Sequence, residues 1–319
     1  MTHNFDVICI GAALVDMVAQ VQRHPLEDDE VFVSDLKLFS GGAAANTAYA
    51  CAKLGLKSAF IGKLGEKDTF SFKIIEDFTN IDVDTSMIRY SNNHSTGSAY
   101  IVLNKDGDRR IYAHSGAANY LSKEDIKEDE IRTTKLIFLS SLKNIEPLLI
   151  AATIGQNFNI PIILNPGMLI IDQGLEIIKK LLEQVDILIL SKREFLTLYP
   201  YEKKNEMIEH VREKSNYLIN LGLKAIIITM GKEGAIVSNF KFCELIQTNI
   251  KKQIIDTTGA GDAFSSGFIY GFLKNLNYKF DYLKKNVEIG NYVAGKCIQQ
   301  LGARKGLPNR EELISEFFK

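Results

Sequence analysis

Basic charge is nowhere concentrated in this chain. Lys and Arg number 38 against 39 Asp and Glu, a formal net charge of −1. Without a Lys/Arg block, electrostatics lends no support to binding nucleic acid or a membrane surface. Apolar runs are short, and none approaches the roughly 18 residues of a membrane span. The first residues, MTHNFDVICIGAALVDMV, lack a basic n-region and meet Asp16 early, a poor fit to a secretory signal. Cysteine is scarce: Cys9, Cys51, Cys243 and Cys297 stand far apart inside apolar segments, with no Cys-x-x-Cys pair. They read as reduced core residues of a cytoplasmic protein rather than as a metal site. Internal repeats and low-complexity segments are lacking as well.

What the chain does have is ordinary globular composition. Its 319 residues are 46% hydrophobic and 24% charged, enough for a large core. Length alone leaves open one large α/β domain with an appended piece or two equal domains. Short apolar runs alternate with helical patterns. FDVICIG, SAFIGK, KLIFLS, PIILN, DILIL and AIIIT are continuous, β-branched-rich runs of the kind that make buried parallel strands. AANTAYACAKLG predicts a helix closing at Gly55. LEIIKKLLEQV, KKNEMIEHVREKSNYLINLG and YLKKNVEIGNYVAGKCIQQLG predict amphipathic helices. The alternation predicts a doubly wound, mostly parallel α/β sheet flanked by helices. A TIM barrel would need the alternation repeated without interruption, and two segments interrupt it. Residues 97–114, GSAYIVLNKDGDRRIYAH, read as strand, Asp-Gly turn, strand. Residues 16–38, DMVAQVQRHPLEDDEVFVSDLKL, have a β-like pattern with a polar middle. We read the chain as one domain over residues 1–319 in which these two segments form a small β-sheet lid able to close over a ligand.

Residues 253–273 read QIIDTTGAGDAFSSGFIYGFL. An apolar strand ending at Ile254 and Ile255 is expected, then Asp256, two threonines, Gly259-Ala260-Gly261, Asp262 and an apolar helix. Glycines let successive N–H groups point one way, and a helix N-terminus adds about half an elementary positive charge. Such a turn suits a phosphate, or the negative charge of a phosphoryl group in transfer. Asp262 in the same first turn can orient a hydroxyl and take its proton. A plain strand-to-helix turn with a polar cap is the simpler explanation of the tetrapeptide taken alone.

Two other phosphate motifs fail. G-x-G-x-x-G would need glycine at Phe264. GNYVAGKC, Gly290 to Cys297, nearly matches the P-loop, but Cys297 stands where Ser or Thr should hold magnesium, inside a helical pattern. A second glycine site, FSGGAAANTAYACAKLG, pairs Gly41-Gly42 with Asn46, whose amide both donates and accepts. Asp16 follows the first strand, with Gly11 marking the turn. A carboxylate and an amide at such ends suit the vicinal hydroxyls of a sugar. Taken singly, Asn46 reads equally as a helix cap and Asp16 as a loop charge.

Together these pieces resemble the ribokinase-like (PfkB) carbohydrate kinases. DTTGAGDAFSSGF and GGAAANTAYACAKLG look like the two signatures of that family. DVICIGAALVD, SGAANYLSKEDI, ILNPG, IIITMGKEGAIV and LGARKGLP extend the likeness over essentially the whole chain. The resemblance implies an ATP-dependent kinase using Mg2+ and, in many members, a monovalent cation such as K+. Asp262 would be the base, and Gly259, Ala260 and Gly261 the anion hole for the transferred phosphoryl group. Asp16, Gly42 and Asn46 would hold the acceptor. Thr229 and Gly231 would line the nucleotide phosphates and ribose, Asn291 would lie near the adenine, and Glu194 would serve the magnesium–water network. Asp256 and the backbone around Thr258 and Gly302 would form the monovalent-cation site. Magnesium would be held largely through phosphates and waters.

The departures are informative. The family's Asn-x-x-Glu reads Ser191-Lys192-Arg193-Glu194 here. Leu14 and Ala43 replace an asparagine and a lysine usual in ribokinase proper, which argues against ribose itself, and the Gly-Gly-Ala-Ala-Ala-Asn form also occurs in nucleoside kinases of the superfamily. The reading is a kinase for a primary hydroxyl of a sugar or sugar derivative, with a nucleoside kinase and a noncatalytic ligand-binding homologue as alternatives. Val31, Phe32, Val33, Tyr100, Val102 and Ile111 would give the lid an apolar outer face, so a homodimer is expected, with no nucleic acid or membrane as partner.

Overall fold

The computed structural model describes residues 3–106, 108–201, 206–248 and 253–318. Numbered along the chain, the strands are β1 (Val7–Ile10), β2 (Leu14–Val21), β3 (Val33–Gly41), β4 (Ser58–Ile61), β5 (Lys63–Gly65), β6 (Arg89–Ser91) and β7 (Thr96–Asn104). They continue with β8 (Arg109–Gly116), β9 (Ile137–Ser140), β10 (Ile162–Asn165), β11 (Ile187–Ser191), β12 (Ala225–Thr229), β13 (Ala235–Ser238) and β14 (Cys243–Ile246). The main sheet has the order β14-β13-β12-β11-β10-β9-β1-β4. The six apolar runs picked out from the sequence are β1, β4, β9, β10, β11 and β12, and they pair with one another in parallel. At one end of the sheet β13 and β14 add on antiparallel, β13 against β12 and β14 at the edge.

The six parallel strands are apolar along their middles because both faces are covered, with polar residues only at their ends. Ile8, Ile10, Ile137 and Leu139 enter one core with helices Glu146–Asn157, Leu175–Leu182 and Met207–Asn220. Val7, Cys9, Leu136 and Phe138 enter the other with helices Ala43–Lys53, Thr69–Thr79, Ala260–Asn275 and Phe280–Cys297. The helix expected over KKNEMIEHVREKSNYLINLG spans Met207–Asn220, and Lys203, Lys204 and Asn205 lie outside the described residues. The near-miss P-loop, Gly290 to Cys297, lies within the helix Phe280–Cys297. All four cysteines are free and buried. Among the described residues, no helix is long and apolar enough to cross a membrane.

The two interrupting segments form one separate sheet, in the order β3-β2-β7-β8. Each segment is an antiparallel hairpin, and β2 runs parallel to β7, from Leu14 opposite Gly97 to Val21 opposite Asn104. Asn104 Oδ1 accepts from the N–H groups of Asp106 and Asp108 and so closes the β7–β8 turn; Gly107 lies outside the described residues. The strands extend beyond the expected bounds, to Leu14 and to Gly41. Of the expected apolar outer face, Phe32, Val33 and Ile111 are exposed, joined by Leu36, Leu38 and Tyr112. Val31, Tyr100 and Val102 are half-buried.

One expectation is corrected. Ile254 and Ile255 do not end a strand: residues 253–257 are irregular, and the Ile255 N–H donates to the Ile298 carbonyl at 2.9 Å. A short apolar pair next to a turn has the composition of a strand end, but these two side chains line cavities instead.

Candidate active site

In open α/β sheets ligands bind beyond the carboxyl ends of the strands, and the residues singled out from the sequence converge there. Ser191 and Thr229 are paired at the ends of β11 and β12. The chain leaves β1 through Gly11, enters β2 with Asp16 in its first half, and returns at Gly42 to start the helix Ala43–Lys53 that carries Asn46. Gly42 has φ +94, and a Cβ there would lie 2.4 Å from the Ala12 carbonyl, so only glycine fits between the two segments.

The helix Ala260–Asn275 is buried continuously from Ala263 to Phe272, which fixes its first turn firmly against both neighbouring helices and the sheet. Gly259 caps it in the left-handed conformation. Among the described residues, the N–H groups of Gly259, Gly261 and Asp262 have no acceptor, whereas that of Ala260 donates to the Thr257 carbonyl at 3.2 Å. Ala260 therefore contributes its place in the turn rather than a free donor. Free donors at a helix N-terminus form an anion cradle.

Asp262 sits half-buried beside this cradle. Its Oδ2 accepts from Asn46 Nδ2 at 2.9 Å, and Asn46 Oδ1 accepts from Arg304 Nε at 3.0 Å. Burial pushes the Asp262 carboxyl up to about 7; Asn46 and the Arg304 charge oppose the shift, while the charges of Asp16 and Glu194 add to it. Asp16 is raised to about 6 by burial, against the pull of Arg304. A carboxylate ionising near neutrality and within reach of an anion cradle has the properties of a general base.

Two cavities flank the turn. One, of about 190 Å³, is lined by Thr229, Gly231, Asn291, Ala260, Gly261 and Phe264, with Ile254 at its rim. Asn291 forms part of its wall, but its amide donates to the Ile246 carbonyl at 3.1 Å and so serves first to hold β14. The other, of about 170 Å³, lies under the lid. The lid supplies Asp16, Val18, Ile101, Leu103 and Arg109, and the body Ile255, Asp256, Thr258 and Gly302.

Asp256, Thr258 and Gly302 do come together. Asp256 Oδ1 accepts from the Thr258 N–H (2.9 Å) and Oγ1 (2.7 Å), and Oδ2 accepts from the Gly302 N–H (2.8 Å). Burial raises the Asp256 carboxyl, but these bonds and the Arg109 charge outweigh it and leave the group below its ordinary range. The carboxylate thus staples the glycine turn to the C-terminal segment. The carbonyl oxygens of Thr258 and Ala303 both lie within 4 Å of Cys297 Sγ, at 3.9 and 3.3 Å, and so converge behind the same turn.

Ser191 acts as a helix cap. Its hydroxyl accepts from the Glu194 N–H at 3.2 Å, and Glu194 Oε2 accepts from the Ser191 N–H at 2.7 Å. Serine and asparagine are comparable caps, so the exchange leaves the helix start and the buried Glu194 in place. Glu194 Oε1 has no hydrogen-bond partner among the described residues. No three His, Cys, Asp or Glu side chains converge as metal ligands among the described residues. Arg304 was not foreseen: within LGARKGLP it reads as a surface charge, and nothing local signals its contact with Asn46, 258 residues away.

The sequence profile of the pfkB family carbohydrate kinases matches residues 4–310. The ribokinase of Staphylococcus aureus is 29% identical over 310 residues, covering 96% of this chain and 98% of that protein. The deoxyribokinase of Salmonella typhi is 27% identical over 304 residues, covering 92% and 94%. The structure of Arabidopsis thaliana ribokinase complexed with ribose and ATP superposes with a TM-score of 0.83 at 24% identity, covering all of both chains.

Proposed function

Since the chain belongs to the PfkB family of carbohydrate kinases, and is thereby a phosphotransferase with an alcohol group as acceptor, we propose that it transfers the γ-phosphoryl group of ATP to a hydroxyl of a sugar or sugar derivative. The observation that carries this reading is the placement of Asp262 beside free N–H donors, next to a turn that two cavities flank. ATP with Mg2+ would supply an activated phosphoryl group of partly neutralised charge. The chain's residues do the rest. Thr229, Gly231 and the wall at Asn291 hold the nucleotide. Gly42, Asn46 and Asp16 hold the acceptor. Asp262 takes the hydroxyl proton as the oxygen attacks, and Gly259 with the Gly261 and Asp262 N–H groups meets the charge that builds on the phosphoryl oxygens. Glu194, with one carboxylate oxygen unengaged, is placed to order water around Mg2+. The Asp256 staple and the carbonyls of Thr258 and Ala303 fit a K+ ion that firms the glycine turn.

A nucleoside acceptor is the second reading. The lid cavity is walled by Val18, Ile101, Leu103, Ile255 and Leu301, apolar surface that a base would cover better than a small polyol. Initial rates of ATP consumption over a panel of sugars, deoxysugars and nucleosides decide between the two. Turnover of at least one sugar is expected, rising when K+ replaces a large organic cation at constant ionic strength. No turnover of any alcohol would refute the kinase reading, and a flat K+ response would remove the cation site.

The exposed apolar residues Phe32, Val33, Leu36, Leu38, Ile111 and Tyr112 of the lid support a homodimer paired lid to lid. Sedimentation at micromolar concentration should give a dimer, and Leu36→Lys should shift it to monomer. A wild-type monomer would dispose of the pairing.

A further inference from the structure

Arg304 links the body to the base without touching the base itself. Its Nε donates to Asn46 Oδ1 at 3.0 Å, its Nη1 lies 3.6 Å from Asp77 Oδ2, and its guanidinium lies over the rings of Tyr49 (4.6 Å) and Phe78 (5.7 Å). Asp77 is itself held by Ser40 Oγ at 2.6 Å. Guanidinium is a donor only and an ionised carboxylate an acceptor only. Asn46, lying between them, can satisfy both in one orientation: oxygen toward Arg304, NH2 toward Asp262. A flipped amide would set its oxygen against the carboxylate and its NH2 against the guanidinium.

We propose that Arg304 is a positioning residue, which by holding Asn46 Oδ1 turns the amide's NH2 onto one oxygen of Asp262 and leaves the other oxygen free to take the acceptor's proton. The inference rests on reading Asp262 as the base. A second observation separates it from a purely structural role: the Nη1 and Nη2 atoms of Arg304 are buried and have no hydrogen-bond partner among the described residues. Burying a cation with so few bonds costs stability, so a fold that needed only to fill this space would be served by an apolar side chain. What the cation adds is directed at Asn46 and, through space, at the carboxylates. Asp262 also faces Asp16 from β2, Glu194 from the helix Lys192–Leu198 and Cys297 from the helix Phe280–Cys297; the first two add negative charge that Arg304 offsets. Around Arg304 itself stand Asp77 and Tyr49.

The test compares Arg304→Met, similar in length and uncharged, with Arg304→Lys, which keeps the charge but not the planar donor. For Arg304→Met, kcat/KM at neutral pH is expected to fall about 10–100-fold, the range for groups that orient a working residue. The acid limb of the pH profile should move to higher pH, so that most of the loss is recovered in alkali, and Arg304→Lys should lie between Met and wild type. A loss uniform across pH would overturn the proposal. The carboxyl carbon of Asp262, assigned by its absence in Asp262→Asn, can also be titrated by 13C NMR in the free protein. Its midpoint should rise in Arg304→Met and, by less, in Arg304→Lys. Midpoints unchanged in the folded variants would sink the proposal whatever the enzyme phosphorylates. If the midpoints move but no alcohol in the panel is turned over, the kinase reading fails and the Arg304 coupling stands.

Discussion

Asp262→Asn is expected to lower turnover by about 10²–10⁴-fold, the usual contribution of a positioned general base, while nucleotide binding and the fold persist. The substitution is isosteric, and the new amide oxygen can still accept from Asn46 Nδ2, so the geometry of the helix start has no reason to change. Turnover within a few-fold of wild type would remove Asp262 from the mechanism. A companion effect on stability has the opposite sign. The folded-state carboxyl is raised to about 7 from an ordinary 3.8, so between those values the folded protein binds more protons than the unfolded chain. Wild-type stability therefore falls as pH rises through this window, and ionised Asp262 weighs against folding above it. Asp262→Asn removes that weight. Its melting temperature should exceed that of wild type at pH 8 and match it near pH 4, as thermal melts at the two pH values will show.

Gly259→Ala should be nearly as damaging, by a different route. The residue sits at φ +74, and a Cβ there would lie 2.3 Å from Ala303 Cβ and 2.7 Å from its Cα. The left-handed conformation alone costs about 1–2 kcal/mol for a non-glycine residue. The collision with Ala303 is worse, because its neighbour Gly302 is tied to Asp256 and backbone cannot swing aside as a side-chain tip would. Relief must come from displacing the turn, which moves the free N–H donors off the developing charge. Removing one such donor from an anion hole costs about 10²–10³ in turnover, and at least that loss is expected. Kinetics should be paired with calorimetry. A variant that is destabilised yet turns over within tenfold of wild type would show that the turn is scaffolding and that the anion is met elsewhere.

The main sheet was legible because a strand buried on both faces is apolar along its middle, and β1, β4, β9, β10, β11 and β12 announce themselves that way. The glycine turn and Asp262 were legible because backbone-directed chemistry needs particular residue types close together in sequence. Ile254 and Ile255 misled because an apolar side chain lining a cleft has the same composition as one in a sheet. That Ala260 lacks a free N–H is a matter of hydrogen-bond geometry, invisible in the letters Gly-Ala-Gly. Arg304 was hidden for the commonest reason: its partners Asp77 and Asn46 come from other helices, and an arginine in a polar C-terminal stretch looks like solvated surface. The serine at position 191, where the family's pattern has asparagine, is a working helix cap.

The parallel pairing of β2 with β7 bears on how this enzyme can be remade. Leu14 lies opposite Gly97, so each rung of that ladder joins residues 83 positions apart (97 − 14). No contiguous stretch of the gene encodes the lid. Deleting the hairpin Thr96–Gly116 would leave β2 and β3 as a solitary two-stranded ribbon, which is marginal in water. Grafting either hairpin from a relative with another acceptor would set a foreign edge against a native one, and a slip of one residue would turn every side chain over. Recombination between relatives therefore keeps the lid intact only where both hairpins move together, and libraries that shuffle single segments should yield mostly chains with an open site.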